Sequence, residues 1–120
     1  MIEEGWIAPG THVVAVGACR PTHREIDPRL VARPLVVADS RAAAMKESGD
    51  ILLAIEEGFI GEDHIHAELG EVASGAKAGR QHDDQITLFK SLGLAIEDVV
   101  AAGLAYRRAL ATGHGIRVPL

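Results

Sequence analysis

Residues 9–21 decide the fold of this chain: Pro9-Gly10-Thr11-His12-Val13-Val14-Ala15-Val16-Gly17-Ala18-Cys19-Arg20-Pro21. A turn dipeptide opens the stretch, and the short apolar run after it, rich in β-branched residues, predicts a fully buried strand. Small residues, Gly17, Ala18 and Cys19, stand where this strand ends. In an open α/β sheet, ligands bind beyond the carboxyl ends of strands, where small residues let a ligand approach the backbone. We therefore expect the chemistry of the protein near Gly17 to Arg20.

The composition describes a single small domain with an aliphatic core. The chain has 120 residues, of which 48% are apolar and only 3% are aromatic. This length suits one domain rather than two. The formal net charge of −5 argues against nucleic acid as a partner, because phosphate binding needs a basic patch. It also argues against binding to an anionic membrane surface.

Several features predict a cytoplasmic protein. Cys19 is the single cysteine, so the chain forms no internal disulfide, which fits a reducing compartment. The acidic start, Met1 to Glu4, lacks the charged-then-apolar pattern of a signal peptide. No apolar run approaches the ~20 residues of a membrane span.

The remaining pattern alternates strands with helices. Two further apolar runs predict strands over 35–38 and 86–90. Capping and stop signals predict the helices, with Gly49 as a left-handed stop and Gly113, Gly115 and Pro119 as marks of a terminal tail. The first predicted helix runs from an Asp27 cap to about Ala32, the second from a Ser40 cap over 41–47, and the third over 51–57 before Gly58. The fourth runs from an Asp63 cap to about Ser74, and the last from a Ser91 cap to about Ala111.

This order predicts an α/β fold with parallel strand pairing. Three strands would make only a small sheet, although their apolar runs are typical of strands buried inside a larger one. We therefore expect either that partner chains complete the sheet or that the chain belongs to a larger domain.

Six motifs follow one another in a fixed order along the chain. They are Pro9 to Ala18, Arg24-Glu25-Ile26-Asp27, Val37-Ala38-Asp39-Ser40, Lys46-Glu47-Ser48-Gly49-Asp50, Ala67-Glu68-Leu69-Gly70-Glu71-Val72, and Ile86-Thr87-Leu88-Phe89-Lys90-Ser91-Leu92-Gly93. Together they resemble the carboxyl-terminal portion of the ornithine cyclodeaminase/mu-crystallin family, and the resemblance extends from Trp6 to about Arg108.

The resemblance implies part of a two-domain, NAD(P)-dependent protein that acts on a small-molecule substrate and is usually a homodimer. Residues 1–92 would then form the end of an incomplete Rossmann-like dinucleotide-binding domain, a parallel sheet with a long final helix. Residues 93–120 would form the helix that returns to the substrate and dimerisation domain. The family includes ornithine cyclodeaminase, alanine dehydrogenases and the ketimine reductase activity of mu-crystallin.

The chain departs from the family pattern in ways that bear on activity. The family's amino-terminal half is absent from these 120 residues, and no G-x-G-x-x-G turn for a pyrophosphate follows any predicted strand. Cys19 replaces the aspartate of the cyclodeaminases, at a position where mu-crystallin-like members carry serine. Val14 stands where many members have asparagine, and Thr22-His23 where many have Gly-Lys. We therefore expect reduction of a cyclic ketimine or a 2-oxo or imino acid, and no turnover by this chain alone.

The resemblance also assigns candidate site residues. Gly17, Ala18, Cys19 and Ser91 would line the cofactor, and Glu47 would face the substrate. From the residues alone, the pattern favours Cys19 as a small buried hydrophobe and Glu47 as a solvated residue in a last helical turn. Ser91 would be a plain helix cap, which is compatible with a position at the cofactor.

Other function classes remain open at this stage. His64 and Glu68 share the spacing of one helix face, but without a third ligand they predict no metal site. A protein that binds NADPH or another small ligand without turnover is one alternative. A fragment that dimerises through exposed sheet edges, without activity, is another.

Overall fold

The computed structural model describes residues 1–116 and 118, and the predicted tail residue Pro119 lies outside them. Four parallel strands form one sheet in the order β1-β4-β2-β3. The strands are β1 (His12–Ala15), β2 (Leu35–Ala38), β3 (Ile65–Glu68) and β4 (Thr87–Lys90). The helices are α1 (Pro28–Val31), α2 (Arg41–Glu47), α3 (Gly49–Glu56), α4 (Leu69–Ala73) and α5 (Ala95–Thr112), after a 3₁₀ turn at Glu4–Trp6. The predicted α/β class with parallel pairing is confirmed.

One face of the sheet carries the core. Alternate strand residues point to this face and pack against apolar side chains of α1, α2 and α3. The core residues are Val13, Ala15, Ile26, Leu30, Val31, Val36, Ala38, Ala44, Ile51, Ala54, Ile65 and Leu88. We call this the covered face.

The other face of the sheet is open. Its side chains include Val14, which is 54% exposed, and Phe89, which is half-buried. The prediction that β1 is fully buried was therefore wrong: its residues alternate between exposed and buried. An open apolar hollow of about 500 Å³ lies on this face, lined by His12, Leu35, Val37, Leu69, Val72, Gly79, Arg80, Thr87 and Phe89.

Two predicted helix starts are confirmed by their capping bonds. The Asp27 carboxylate accepts a hydrogen bond from the Arg29 amide at 2.9 Å, with Pro28 in the first turn of α1. The Ser40 hydroxyl accepts from the Ala43 amide at 3.3 Å and caps α2. Each bond satisfies a free amide of a first helical turn.

The predicted helix from Asp63 to about Ser74 was wrong. This segment first forms β3, which pairs in parallel with β2 through a register shift, and only then the short helix α4. Ile65 and Ala67 are buried and alternate with half-buried neighbours, which is the period of a strand. Pairing with β2 decides the outcome over the helical spacing of the apolar residues.

Gly49 is not the left-handed stop that the sequence suggested. It begins α3, and its φ does not lie in the left-handed region that Gly58 occupies. A Cβ atom on Gly49 would overlap the carbonyl of His23 and lie 2.6 Å from the carbonyl oxygen of Arg20. Glycine is needed here for close backbone packing.

The final helix also begins later than predicted. α5 starts at Ala95 with Leu94 as its N-cap residue, so Ser91 does not cap it. None of the α5 residues is buried, and the apolar stripe that contains Ile96, Val99 and Tyr106 is exposed. Within the described residues, no helix is both long and apolar enough to cross a membrane.

Candidate functional site

The carboxyl ends of the strands bring three segments to one edge of the sheet. Residues 17–19 follow β1, Asp39 follows β2, and Ser91 follows β4. The Ser91 amide donates to the Ala15 carbonyl at 3.0 Å, and the Asp39 amide donates to the Lys90 carbonyl at 3.1 Å. The predicted residues Gly17, Ala18, Cys19 and Ser91 therefore meet at the edge where parallel sheets bind ligands.

A carboxylate holds the loop after β1. Glu25 accepts hydrogen bonds from the Gly17 amide at 2.6 Å and from the Ala18 amide at 3.2 Å. Burial favours a raised pKa for Glu25, but these two amides and the Lys90 ammonium outweigh it and hold the pKa below its ordinary value. Glu25 is therefore ionised, and the two loop amides are occupied within the protein itself.

Cys19 lies on the surface of the same loop. Its thiol is exposed and donates to the Val16 carbonyl at 3.5 Å. An open pocket of about 480 Å³ adjoins the loop, lined by Gly17, Ala18, Thr22, His23, Arg24 and Glu25. The exposure of Cys19 excludes the alternative of a small buried hydrophobe and leaves the thiol able to contact a ligand.

Ser91 is fixed by Asp39 rather than by a helix. The Ser91 hydroxyl donates to the Asp39 carboxylate at 2.9 Å, and the amides of Leu92 and Gly93 donate to the same oxygen at 2.7 and 2.8 Å. Burial favours a raised pKa for Asp39, but these donors and the Ser40 amide outweigh it and lower the pKa. The structure thus replaces the predicted helix cap at Ser91 with a hydrogen bond to the Asp39 carboxylate.

Glu47 is the last residue of α2 and is exposed. Two residues later, Gly49 packs against the carbonyls of Arg20 and His23, in the segment that follows Cys19. Glu47 therefore lies at the junction between the helices and the loop after β1, on the solvent side.

Sequence reasoning missed three charged residues that support this edge: Lys90, Asp50 and Glu25. Lys90, at the end of β4, has no exposed surface, and its ammonium lies 3.0 Å from a carboxylate oxygen of Asp50 and 3.3 Å from one of Glu25. A lysine at the end of an otherwise buried strand is the signal that could have found this cluster, because such a lysine is almost never buried unpaired.

His64, just before β3, and His66, within it, make hydrogen bonds that stabilise the fold. The His64 ring donates to the Val31 carbonyl and the His66 ring to the Ala78 carbonyl, both at 2.9 Å. Glu68 and Glu71 form a reciprocal capping box at the start of α4. Among residues 1–116 and 118, no group of three or more potential metal ligands comes together.

The parallel sheet, with small residues at its carboxyl edge, places the chain in the Rossmann-like α/β class. The chain belongs to the ornithine cyclodeaminase/mu-crystallin family, whose family model matches residues 1–113. The fold and the resemblance predicted from the sequence are thereby confirmed.

The relatives include ketimine and Delta(1)-pyrroline-2-carboxylate reductases. The chain is 54% identical to mouse ketimine reductase mu-crystallin over 101 residues, which are 84% of this chain and 29% of that protein. It is 46% identical to the Bacillus cereus Delta(1)-pyrroline-2-carboxylate reductase over 110 residues, 91% of this chain and 34% of the relative. The structure of the Thermococcus litoralis Delta(1)-pyrroline-2-carboxylate reductase, solved with NADH and L-proline, matches with a TM-score of 0.86 and 48% identity, over 98% of this chain and 36% of that one. The chain thus spans about a third of the length of these relatives.

Proposed function

We propose that this chain forms the carboxyl-terminal part of the dinucleotide-binding domain of an NAD(P)-dependent reductase, which acts on a cyclic ketimine or a 2-oxo or imino acid. One observation carries the proposal. Gly17, Cys19 and Ser91 converge on the carboxyl edge of a parallel sheet, and Cys19 is exposed there. The kinship with ketimine and pyrroline-2-carboxylate reductases supports the reaction class.

The residues of this edge suit the nicotinamide end of the cofactor. Gly17 presents bare backbone at the surface, so a flat ring can approach the loop closely. Because Glu25 already occupies the amides of Gly17 and Ala18, these two amides are not free to form an anion cradle. We assign Gly17, Ala18, Cys19 and Ser91 to this cofactor contact.

When bound, the reduced nicotinamide supplies a hydride to the C=N or C=O carbon of the substrate. This chain's residues would position the ring and exclude water from one side of it. Cys19 puts a thiol where the resemblance gives the cyclodeaminases a carboxylate, which favours reduction over deamination. Glu47 would face the substrate from the end of α2.

The assembly belongs to the same proposal. Residues 1–92 would form the end of the dinucleotide-binding domain, and 93–120 would join the substrate and dimerisation domain of a cytoplasmic homodimer. The exposed apolar stripe of α5 supports this assignment, because such a stripe is typical of a surface that meets a partner. The choice between NADH and NADPH is left to experiment, since the residue that decides it follows the phosphate turn.

A chimera tests the reaction directly. Residues 1–113 replace the matching segment of the Bacillus cereus reductase, and the oxidation of NADH and NADPH is followed with Δ1-pyrroline-2-carboxylate as substrate. We expect turnover by the chimera. The 120-residue chain itself, assayed in the same way with NADH and NADPH, should show no turnover, because it holds no G-x-G-x-x-G phosphate turn.

Two variants of the chimera locate the contact. Cys19→Ser should keep the rate within about threefold, because it preserves a small polar group. Cys19→Asp should lower it by about tenfold or more, because it adds a charge beside the ring. A folded chimera that binds nucleotide but does not reduce the substrate would support a binding protein without turnover. Equal rates for the two variants would remove Cys19 from the site.

A further inference from the structure

A buried ion cluster lies directly beneath the loop after β1. The Lys90 side chain is fully buried on the covered face, among aliphatic residues. An ammonium in such a place is stable only when it is paired, because burial of an unpaired charge strongly destabilises the folded state. Its partners are the carboxylates of Asp50 and Glu25, at 3.0 and 3.3 Å.

Asp50 fixes the backbone that carries the second carboxylate. Its Oδ1 accepts hydrogen bonds from the amides of Glu25 at 2.8 Å and Ile26 at 3.1 Å. Its Oδ2 faces Lys90. Asp50 is itself 2% exposed, at the start of α3. One buried carboxylate therefore holds the main chain of Glu25, while Lys90 holds its side chain.

The Glu25 carboxylate connects this cluster to the loop. It spans the gap between Lys90 and the amides of Gly17 and Ala18. The fit around Gly17 is close: a Cβ atom there would lie 2.5 Å from the Glu25 carboxylate. Charge-assisted bonds of this kind are about twice as strong as neutral ones. The side chains of Glu25 and Lys90 thus link the loop amides to the inner strand β4.

We propose that Lys90 and Asp50 are positioning residues, which act through Glu25 to set the Gly17–Cys19 loop in place for the ligand that binds there. The identity of that ligand rests on the proposed function. The positioning rests on the contacts themselves. The Lys90 ammonium and the Asp50 carboxylate reach the loop through Glu25, so both act on it indirectly.

The loop carries its own probes, because Cys19 is the single cysteine of the chain. Alkylation of Cys19 and hydrogen exchange at the Gly17 and Ala18 amides report loop order without any nucleotide. We expect Glu25→Gln to raise the exchange rates of both amides by about tenfold, because each loses a charge-assisted bond, to change the alkylation rate of Cys19, and to shift the Gly17 amide proton resonance upfield. The matched control is Glu57→Gln, which removes an equal charge from the surface pair with Arg24 and should leave the loop unchanged.

A second pair of variants separates positioning from stability. Lys90→Met should lower the melting temperature and mobilise the loop. Adding Asp50→Asn removes the unpaired buried charge, so it should restore much of the melting temperature while the loop stays mobile. Wild-type exchange and alkylation rates in Glu25→Gln, or in the double variant, would overturn the proposal.

The same substitutions in the chimera connect the loop to the cofactor. Glu25→Gln should raise the KM for the nucleotide more than it lowers kcat, by about tenfold against less than threefold. A chimera without any activity would count against the proposed function, while the exchange and alkylation rates would still decide the positioning role. An active chimera whose nucleotide KM ignores both Glu25→Gln and Lys90→Met would overturn the link to the ligand.

Discussion

The two faces of the sheet carry the same kind of side chain in different surroundings. On the covered face, Val13 and Leu88 are packed by a layer of helices and are at most 6% exposed. On the open face, the adjacent residues Val14 and Phe89 are apolar too, yet Val14 is more than half exposed. Strands of parallel sheets are normally apolar on both faces because helices cover both.

This difference shows that the packing energy of the described unit comes from one layer of helices. Apolar residues stabilise a fold in proportion to the area that they remove from water. The exposed apolar residues of the open face therefore add little to the stability of this unit, although they could be buried if another element covered them. Equivalent substitutions on the two faces should then have unequal costs.

The largest effect is expected at Gly49, on the covered side. Gly49→Ala places a methyl group against the carbonyls of Arg20 and His23, which cannot rotate away. We expect a loss of about 3 kcal/mol or more in the free energy of unfolding, at the upper end for overpacking. Urea unfolding followed by circular dichroism measures it.

Gly70 is the matched control, because it lies in α4, whose Leu69 and Val72 line the open hollow. A Cβ atom there would meet nothing within 4 Å. Gly70→Ala should stabilise the helix by roughly 0.5–1 kcal/mol. Equal costs at Gly49 and Gly70 would mean that the close packing of α3 on the loop does not exist in solution.

The sharpest test of the two faces uses neighbouring valines. Val13→Ala should cost about 2 kcal/mol, from two lost methyl groups and the cavity that they leave. Val14→Ala, one residue later on the open face, should cost less than about 0.5 kcal/mol. Both are measured by urea unfolding of the 120-residue chain. A cost for Val14→Ala as large as that for Val13→Ala would show that something covers the open face in solution.

The sequence predicted most elements of the fold, and its errors share a cause. Local signals such as the Asp27 and Ser40 caps are formed by neighbours in the chain, so they could be predicted directly. The strand β3 depends on pairing with β2, a distant segment, and its apolar residues also match a helical spacing. Local pattern could not choose between these two outcomes, and tertiary pairing did.

The candidate site divides in the same way. The small residues 17–19 could be placed at a strand end because the strand itself is local. The support beneath them could not, since Lys90 and Glu25 are 65 residues apart in the chain and meet only in the folded sheet. Asp39 and Ser91 illustrate the same limit, because their bond spans 52 residues. The serine thus appeared from the sequence as a helix cap.

The smallest effect is expected at Asp39, on the carboxyl edge of the sheet, and it should depend on pH. The lowered pKa of Asp39 means that the folded state binds fewer protons than the unfolded chain near the ordinary aspartate pKa of about 4. Its contribution to stability is therefore complete above that pH and is lost as the pH falls through the lower, folded-state pKa. Asp39→Asn should cost about 1–2 kcal/mol at neutral pH, because an amide is a weaker acceptor for Ser91, Leu92 and Gly93.

The difference between Asp39→Asn and the wild type should then shrink as the pH falls, because the protonated aspartate also loses its charge-assisted bonds. Urea unfolding from about pH 7 to about pH 3 measures it, across the ordinary carboxyl range. The control is Asp83→Asn, an exposed aspartate whose replacement should change stability by less than about 0.5 kcal/mol throughout. A difference between Asp39→Asn and wild type that stays constant with pH would mean that the Asp39 charge does not hold Ser91 and its neighbours at the edge. The contrast between the two faces would then apply to the sheet alone, and not to residues 91–94, which lead into α5.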